Sequence, residues 1–140
     1  MGRHTVYLDK GLEEWFLRRF RSVPEGVREL AARYEGLILH ARREFCERFT
    51  KEELMAVIDS LNGLLAWGEA PLYARLNVFL AAEIEDAVKL GLDKKWNVDA
   101  RALSAKIEAS GPLCAMWLLD LAEQVWRGGK AVEEVVEAVR

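Results

Sequence analysis

Several residue types are scarce in this chain, and each shortage excludes a class of protein. Among 140 residues there are only three prolines, so long helices can run without interruption. There are only two cysteines, Cys46 and Cys114, which lie far apart and lack the spacing of metal ligands. We expect two buried, reduced thiols rather than a disulfide framework. No run of eighteen apolar residues exists, so no membrane-spanning helix is expected.

The chain also lacks the residue patterns that catalytic sites usually contain. The two histidines, His4 and His40, have no cysteine or carboxylate at ligand spacing, and no glycine-rich phosphate loop or Gly-x-Ser-x-Gly motif exists. The carboxylate pairs Glu83/Asp86 and Asp120/Glu123 lack the Glu-x-x-His partners of carboxylate-bridged metal bundles. The sequence therefore predicts no enzyme, with no catalytic residue, metal or cofactor.

Charge is divided unevenly along the chain. The net charge is −3, but residues 1–49 hold ten Lys/Arg against eight Asp/Glu, a net +2, whereas residues 50–140 carry a net −5. Only the N-terminal part would attract a phosphate backbone. The first residues have no apolar segment of the kind found in signal peptides, so a cytoplasmic protein is expected.

What the N-terminal part does contain is a strand pattern followed by two helix patterns. Residues 3–8 alternate, with His4, Val6 and Leu8 on one side, which predicts a short strand. Asp9 is a candidate N-cap for a first helix. Ser22 and Glu25 form a capping box for a second helix, which continues to about Arg48. No second strand is predicted, so this strand is expected to pair with the same strand of a second copy.

A strand, a helix, a short turn and a capped helix resemble the ribbon-helix-helix family of DNA-binding proteins, over the first quarter to third of the chain. The resemblance implies a homodimer whose paired strands enter the DNA major groove. Its implied base-reading residues are Arg3, Thr5 and Tyr7. Its implied phosphate-contacting residues around the turn are Arg18, Arg19, Arg21, Ser22 and Val23. The implied dimer interface comprises Val6, Leu8, Leu12, Phe16, Val27 and Leu30. The three arginines have an alternative role, which is to offset the dipole of the first helix while staying solvated.

The rest of the chain, residues 50–140, is predicted to be an acidic, all-helical module. Thr50 and Glu53 form another capping box, and the segment that follows resembles part of small bacterial helical proteins, which implies no function. The most apolar helix follows Pro112 and is expected at the centre of the core. Valines spaced along residues 130–140 form one stripe, which is expected to dock.

The predicted fold is thus mainly α, with an N-terminal ribbon-helix-helix segment over residues 1–49 followed by a helical bundle. The predicted function is sequence-specific DNA binding, as a dimeric transcriptional regulator of double-stranded DNA. The helical module would stabilise the dimer, sense a small effector or bind a protein partner. The alternative is an all-helical interaction protein, such as an antitoxin-like or phage- or plasmid-borne accessory factor, in which the strand only holds the dimer together.

Overall fold

The computed structural model describes residues 8–62 and 75–139, and this part of the chain is almost entirely helical. It contains eight α-helices and one 3-10 turn at Cys46–Arg48. The α-helices are α1 (Lys10–Arg19), α2 (Val23–Phe45), α3 (Lys51–Ser60), α4 (Leu76–Val88), α5 (Leu92–Trp96), α6 (Ala100–Ser110), α7 (Pro112–Trp126) and α8 (Val132–Ala138). The prediction of a mainly α fold is confirmed. The described residues include no strand, and the predicted strand lies outside them except for Leu8, which is not in regular structure.

Helix starts follow the capping signals in the sequence. The Asp9 carboxylate accepts a hydrogen bond from the Leu12 amide at 2.7 Å, which begins α1. Thr50 and Glu53 form the predicted capping box of α3, with reciprocal bonds of 3.1 and 3.0 Å. Asp99 caps α6 through the Ala102 amide. Each capping side chain accepts a hydrogen bond from a backbone amide in the first helical turn, where the amides have no partner within the helix.

One short helix was not predicted. The sequence has no helical periodicity near residues 93–96, but the structure has α5 there. Gly91 precedes this helix with a φ of 83°, and Asn97 ends it with a φ of 53°. Both lie in the left-handed region that Gly and Asn tolerate best, so the chain turns sharply at each end. Leu92 is buried, which anchors the single turn.

The chain divides into two compact units, Met1–Leu37 and Ile38–Arg140. The boundary predicted after residue 49 falls inside the second unit. The reason is that Phe45 and Phe49, although close to the predicted boundary, are buried in the core cluster of that unit. Sequence periodicity places such residues on the apolar face of a helix, but it does not show which core that face joins.

The second unit is a helical bundle around α7, as its apolar sequence predicted. Helix α7 packs against α3, α4, α6 and α8, and Trp117 on it is buried beside Phe49, with ring centroids 6.1 Å apart. The valine stripe of α8 docks as predicted, with Val135, Val136 and Val139 buried. No helix among the described residues is both long and apolar enough to cross a membrane.

A partly buried ion pair ties α6 to the start of α3. The Lys106 ammonium donates to both oxygens of Glu53, at 3.0 and 2.9 Å, and to the Arg48 carbonyl at 2.9 Å. Glu53 is also the residue that closes the α3 capping box. One carboxylate therefore fixes both a helix start and a contact with a helix more than fifty residues away.

The two cysteines differ in accessibility, which makes a testable difference in reactivity. Cys114 is fully buried and burial raises its pKa to about 11, whereas Cys46 is only half-buried. Because the thiolate is the nucleophile, we expect iodoacetamide at pH 8 to modify native protein at Cys46 well before Cys114. Peptide mass spectrometry measures both rates, and both thiols should react in denaturant. Equal rates in native buffer would show that the region around Cys114 opens readily.

Candidate nucleic-acid interface

The candidate interface is the turn between α1 and α2, in the first unit. Helix α1 ends where Phe20 becomes extended, with its amide still bonded to the Phe16 carbonyl at 2.8 Å. The Ser22 hydroxyl then accepts from the Glu25 amide at 3.2 Å. The Glu25 carboxylate reaches back to the Arg21 amide at 3.0 Å. The Ser22 half of the predicted capping box is therefore present, whereas the Glu25 carboxylate bonds the amide of Arg21 instead of that of Ser22.

Helix α1 rests on α2 through two phenylalanines and a glycine. Phe16 is buried, and Gly26 lies so close below it that a Cβ there would be 2.4 Å from the Phe16 ring and 2.8 Å from the Phe20 ring. Real Cβ atoms do not approach other atoms this closely, so the contact depends on the absence of a side chain. Gly26 therefore sets how near α1 lies to α2 at the turn.

The three predicted phosphate-contacting arginines are all exposed at this turn, but their side chains are engaged to different degrees. Arg18 lies 3.9 Å from Glu14 in a solvent-exposed pair. Arg19 stacks on Trp15, 4.2 Å from the ring centroid, and donates to the Trp15 carbonyl at 3.2 Å. Arg19 thus helps to satisfy the C-terminal end of α1, as the alternative role predicts. The Arg21 side chain forms no ion pair in the part of the chain that the structure describes.

The amides predicted to hold a phosphate are Ser22 and Val23. Neither donates a hydrogen bond within residues 8–62 and 75–139, so both are open to an acceptor. The next residue, Pro24, has no amide proton. The Glu25 carboxylate lies at the same helix end, so an incoming phosphate meets one negative charge as well as the positive end of the helix dipole.

The remaining predicted residues are distributed as follows. Arg3, Thr5, Tyr7 and Val6 lie outside the described residues. Of the predicted dimer interface, Phe16 is buried, Leu8 and Leu30 are half-buried, and Leu12 and Val27 are exposed. The structure thus places Leu12 and Val27 where a second copy can reach them.

Sequence reasoning did not assign a role to two further arginines in this unit, Arg28 and Arg33. Both are exposed on α2, and Arg33 lies 3.7 Å from Glu29 and 5.6 Å from the centroid of the Phe20 ring. The spacing of Glu29 and Arg33 by four residues was a readable signal for their pairing. The contact between Arg33 and Phe20 depends on how α1 packs against α2, so no local sequence pattern predicts it.

The second unit contains a separate, open groove. Its volume is about 370 Å³, and its described lining includes Asp59, Glu83, Asp86 and Lys95. Lys95 and the Trp96 indole both donate to Asp59, at 2.9 and 2.8 Å. Burial, and secondly the charge of Asp86, raise the pKa of Glu83. No group of three potential metal ligands occurs in the described segments.

Comparisons of the chain with protein-family models, with curated proteins and with solved structures find no match in any of the three. The site must therefore be interpreted from its own residues.

Proposed function

We propose that the protein is a homodimeric, sequence-specific DNA-binding protein that regulates transcription through its N-terminal unit. The observation that carries this proposal is the geometry of the turn. Helix α1 ends and α2 begins at this turn, and three arginines are exposed near Ser22 and Val23, whose amides donate no hydrogen bond among the described residues. Exposed arginines next to a helix N-terminus are well suited to phosphate contacts.

In this proposal the residues divide into two kinds. The turn and its arginines contact phosphates, which fixes the orientation of the protein without reading sequence. Arg3, Thr5 and Tyr7, on a ribbon shared by two copies, read base edges in the major groove. Arg3 is the residue best suited to a bidentate guanine contact, which discriminates by roughly 1–3 kcal/mol per base pair.

The proposal is tested first with the wild-type protein and a random duplex pool at low salt. We expect retention that falls steeply as salt rises, because bound arginines release counterions from the duplex. Repeated selection should then enrich a sequence with two-fold symmetry, since a symmetric dimer reads two half-sites. If the wild-type protein retains no duplex even at low salt, the proposed function is wrong.

Two substitutions then separate the two kinds of residue. Arg21→Ala should weaken binding to every duplex and reduce the salt slope by roughly one unit, because one phosphate contact is lost. Arg3→Ala should instead relax the sequence preference. Arg101→Ala is the matched control, since Arg101 is an exposed arginine on α6 of the second unit. Equal losses for Arg21→Ala and Arg101→Ala would point to net charge rather than to a contact at the turn.

A second candidate function is favoured by one specific observation. The first unit exposes large apolar side chains, among them Leu12, Leu17, Val27 and Leu37, and patches of this kind mark protein interfaces. An interaction module would use this surface for a protein partner, with no affinity for duplex DNA. This second function would be favoured if the dimer captured a defined protein and did not bind duplex DNA at low salt.

A further inference from the structure

The middle of helix α3 is covered on every side, and α8 provides part of that cover. Five consecutive residues of α3, residues 54–58, are buried. Because successive residues of an α-helix point about 100° apart, five in a row extend round the whole circumference, whereas a surface helix would expose some of them. The helices that pack against α3 include α4, α5, α7 and α8. Release of α8 would therefore bring apolar side chains of α3 into water.

Helix α8 has little to hold it in a helical form by itself. It comprises seven residues, Val132–Ala138, and helices of this length are marginal in water without packing. Its N-cap position is Ala131, so no side chain there accepts from the amides of the first turn. Glu133 and Glu134 in that turn complement the helix dipole, but both are exposed, where this effect is small. The helical form of α8 therefore depends on its contact with the bundle.

Among the described residues, α8 is joined to the bundle by buried valines and two exposed polar contacts. The fully covered side chains are Val135, Val136 and Val139. The polar contacts are a hydrogen bond of 2.7 Å from the Arg42 guanidinium to the Ala138 carbonyl and an ion pair of 3.3 Å between Lys51 and Glu137. Solvent-exposed contacts of this kind contribute little to stability. Docking of α8 thus depends mainly on its valines, and the gain from burying them is offset by the entropy cost of ordering the segment.

The end of α7, by contrast, does not depend on α8. The three amides of residues 128–130 bond back to carbonyls in the last turns of α7, at 2.9, 3.1 and 3.1 Å. Gly129 has a φ of 71°, in the left-handed region that glycine tolerates, so the chain turns away from the axis of α7 there. Helix α7 is therefore terminated by its own backbone before α8 begins. A rotation at residues 130–131 can move α8 without breaking any of these bonds.

We infer that α8 is a releasable strap, which opens as one unit about residues 130–131 while the other helices of the second unit stay folded. In this open state the side of α3 beneath α8 is exposed. Segments with few buried contacts are those that open in this way at a lower free energy than global unfolding. The strap belongs to the second unit, so its opening is independent of the DNA binding that we propose for the first.

Native-state hydrogen exchange of the full chain, followed by NMR at several low denaturant concentrations, tests the opening. The amides of residues 135–139 bond within α8 and its last turn. We expect them to exchange roughly tenfold or more faster than the slowest amides of α7, with one common opening free energy. Their exchange should depend little on denaturant, because release of α8 exposes little surface, whereas the slowest α7 amides should respond steeply. Protection that falls residue by residue toward Val139 would show fraying from the C-terminus, and the inference would be wrong.

A core substitution on another helix separates local opening from global unfolding. Leu103 is fully buried on α6, which packs against α4 and α7. Leu103→Ala destabilises the closed and the strap-open states equally, because both contain this core, so only global unfolding becomes easier. The slowest α7 amides should then exchange roughly a hundredfold faster, and those of residues 135–139 should change less than about threefold. If both sets accelerate equally, α8 opens only with the bundle and is not a strap. Ile107→Val on the same helix gives a milder version of this test if Leu103→Ala does not fold.

A substitution on the buried side of the strap should give a different pattern. Val136 is fully buried, so Val136→Ser weakens the closed state relative to both the open state and the unfolded chain. The amides of α8 and the slowest amides of α7 should then both exchange roughly tenfold faster. Glu134→Ser places the same residue at an exposed position of α8 and should change either rate less than about threefold. Unchanged α8 exchange in Val136→Ser would show that the valine contact does not hold α8 closed, which would contradict the strap.

Discussion

Replacing Trp117 with alanine should lower the free energy of unfolding by about 3–5 kcal/mol, because it removes the largest fully buried side chain among the described residues from the centre of the bundle. Trp117 lies on α7, which packs against four other helices, and its ring contacts Phe49 at the end of the 3-10 turn. Close-packed interiors relax only partly around such a cavity. The melting temperature should fall by about 10 °C or more, measured by circular dichroism.

The matched control lies nine residues further along the same helix. Trp126 is 39% exposed, and its indole nitrogen donates to the Ile58 carbonyl at 2.6 Å. Trp126→Ala should therefore cost less than Trp117→Ala, about 2 kcal/mol, because it loses one hydrogen bond and the burial of a ring that is already partly in water. Equal losses for the two tryptophan variants would contradict the placement of α7 at the centre of the core.

Two glycines on α2 should respond in opposite directions to the same substitution. Gly26→Gln should displace α1, because a side chain there meets the Phe16 ring, and overpacking of this kind typically costs about 1–3 kcal/mol. The expected result is a loss of hydrogen-exchange protection over Lys10–Arg19. Because α1 and the turn form the candidate interface, the same variant should also weaken any binding to duplex DNA.

Gly36→Gln is the control for this experiment. Nothing lies within 4 Å of a Cβ built at Gly36, and the residue is in the interior of a continuous helix. Replacing an exposed helical glycine with a good helix former should stabilise α2 by about 0.5–1 kcal/mol. Loss of α1 protection in both variants would mean that the close approach at Gly26 does not hold α1 in place.

Much of the fold was readable because its signals are local. Asp9 and Thr50 mark helix starts through bonds to residues three positions away, and the structure has both bonds. The departures came where local signals are weak. Helix α5 is one turn long and depends on Leu92 being buried by other helices, so no periodicity could reveal it.

The candidate interface was only partly predictable for the same reason. The arginines near the turn were found from sequence, but the stacking of Arg19 on Trp15 shows that one of them also supports its own helix. The Glu25 carboxylate was predicted as part of a capping box. That it lies at the Arg21 amide, beside the open amides of the turn, became evident only from the folded geometry.

The sequence by itself determined that the described part of the chain is mainly helical, where α1, α2 and α3 begin, and that α2, α7 and α8 each carry an apolar face. Tertiary structure alone decided which of those faces are covered. On α2 one continuous stripe is buried at Ala41 and Phe45 and open at Val27 and Leu37. An apolar face can be recognised from sequence because it depends on residues three and four apart. Whether that face is buried depends on helices that are distant in sequence, and a local pattern carries no information about them.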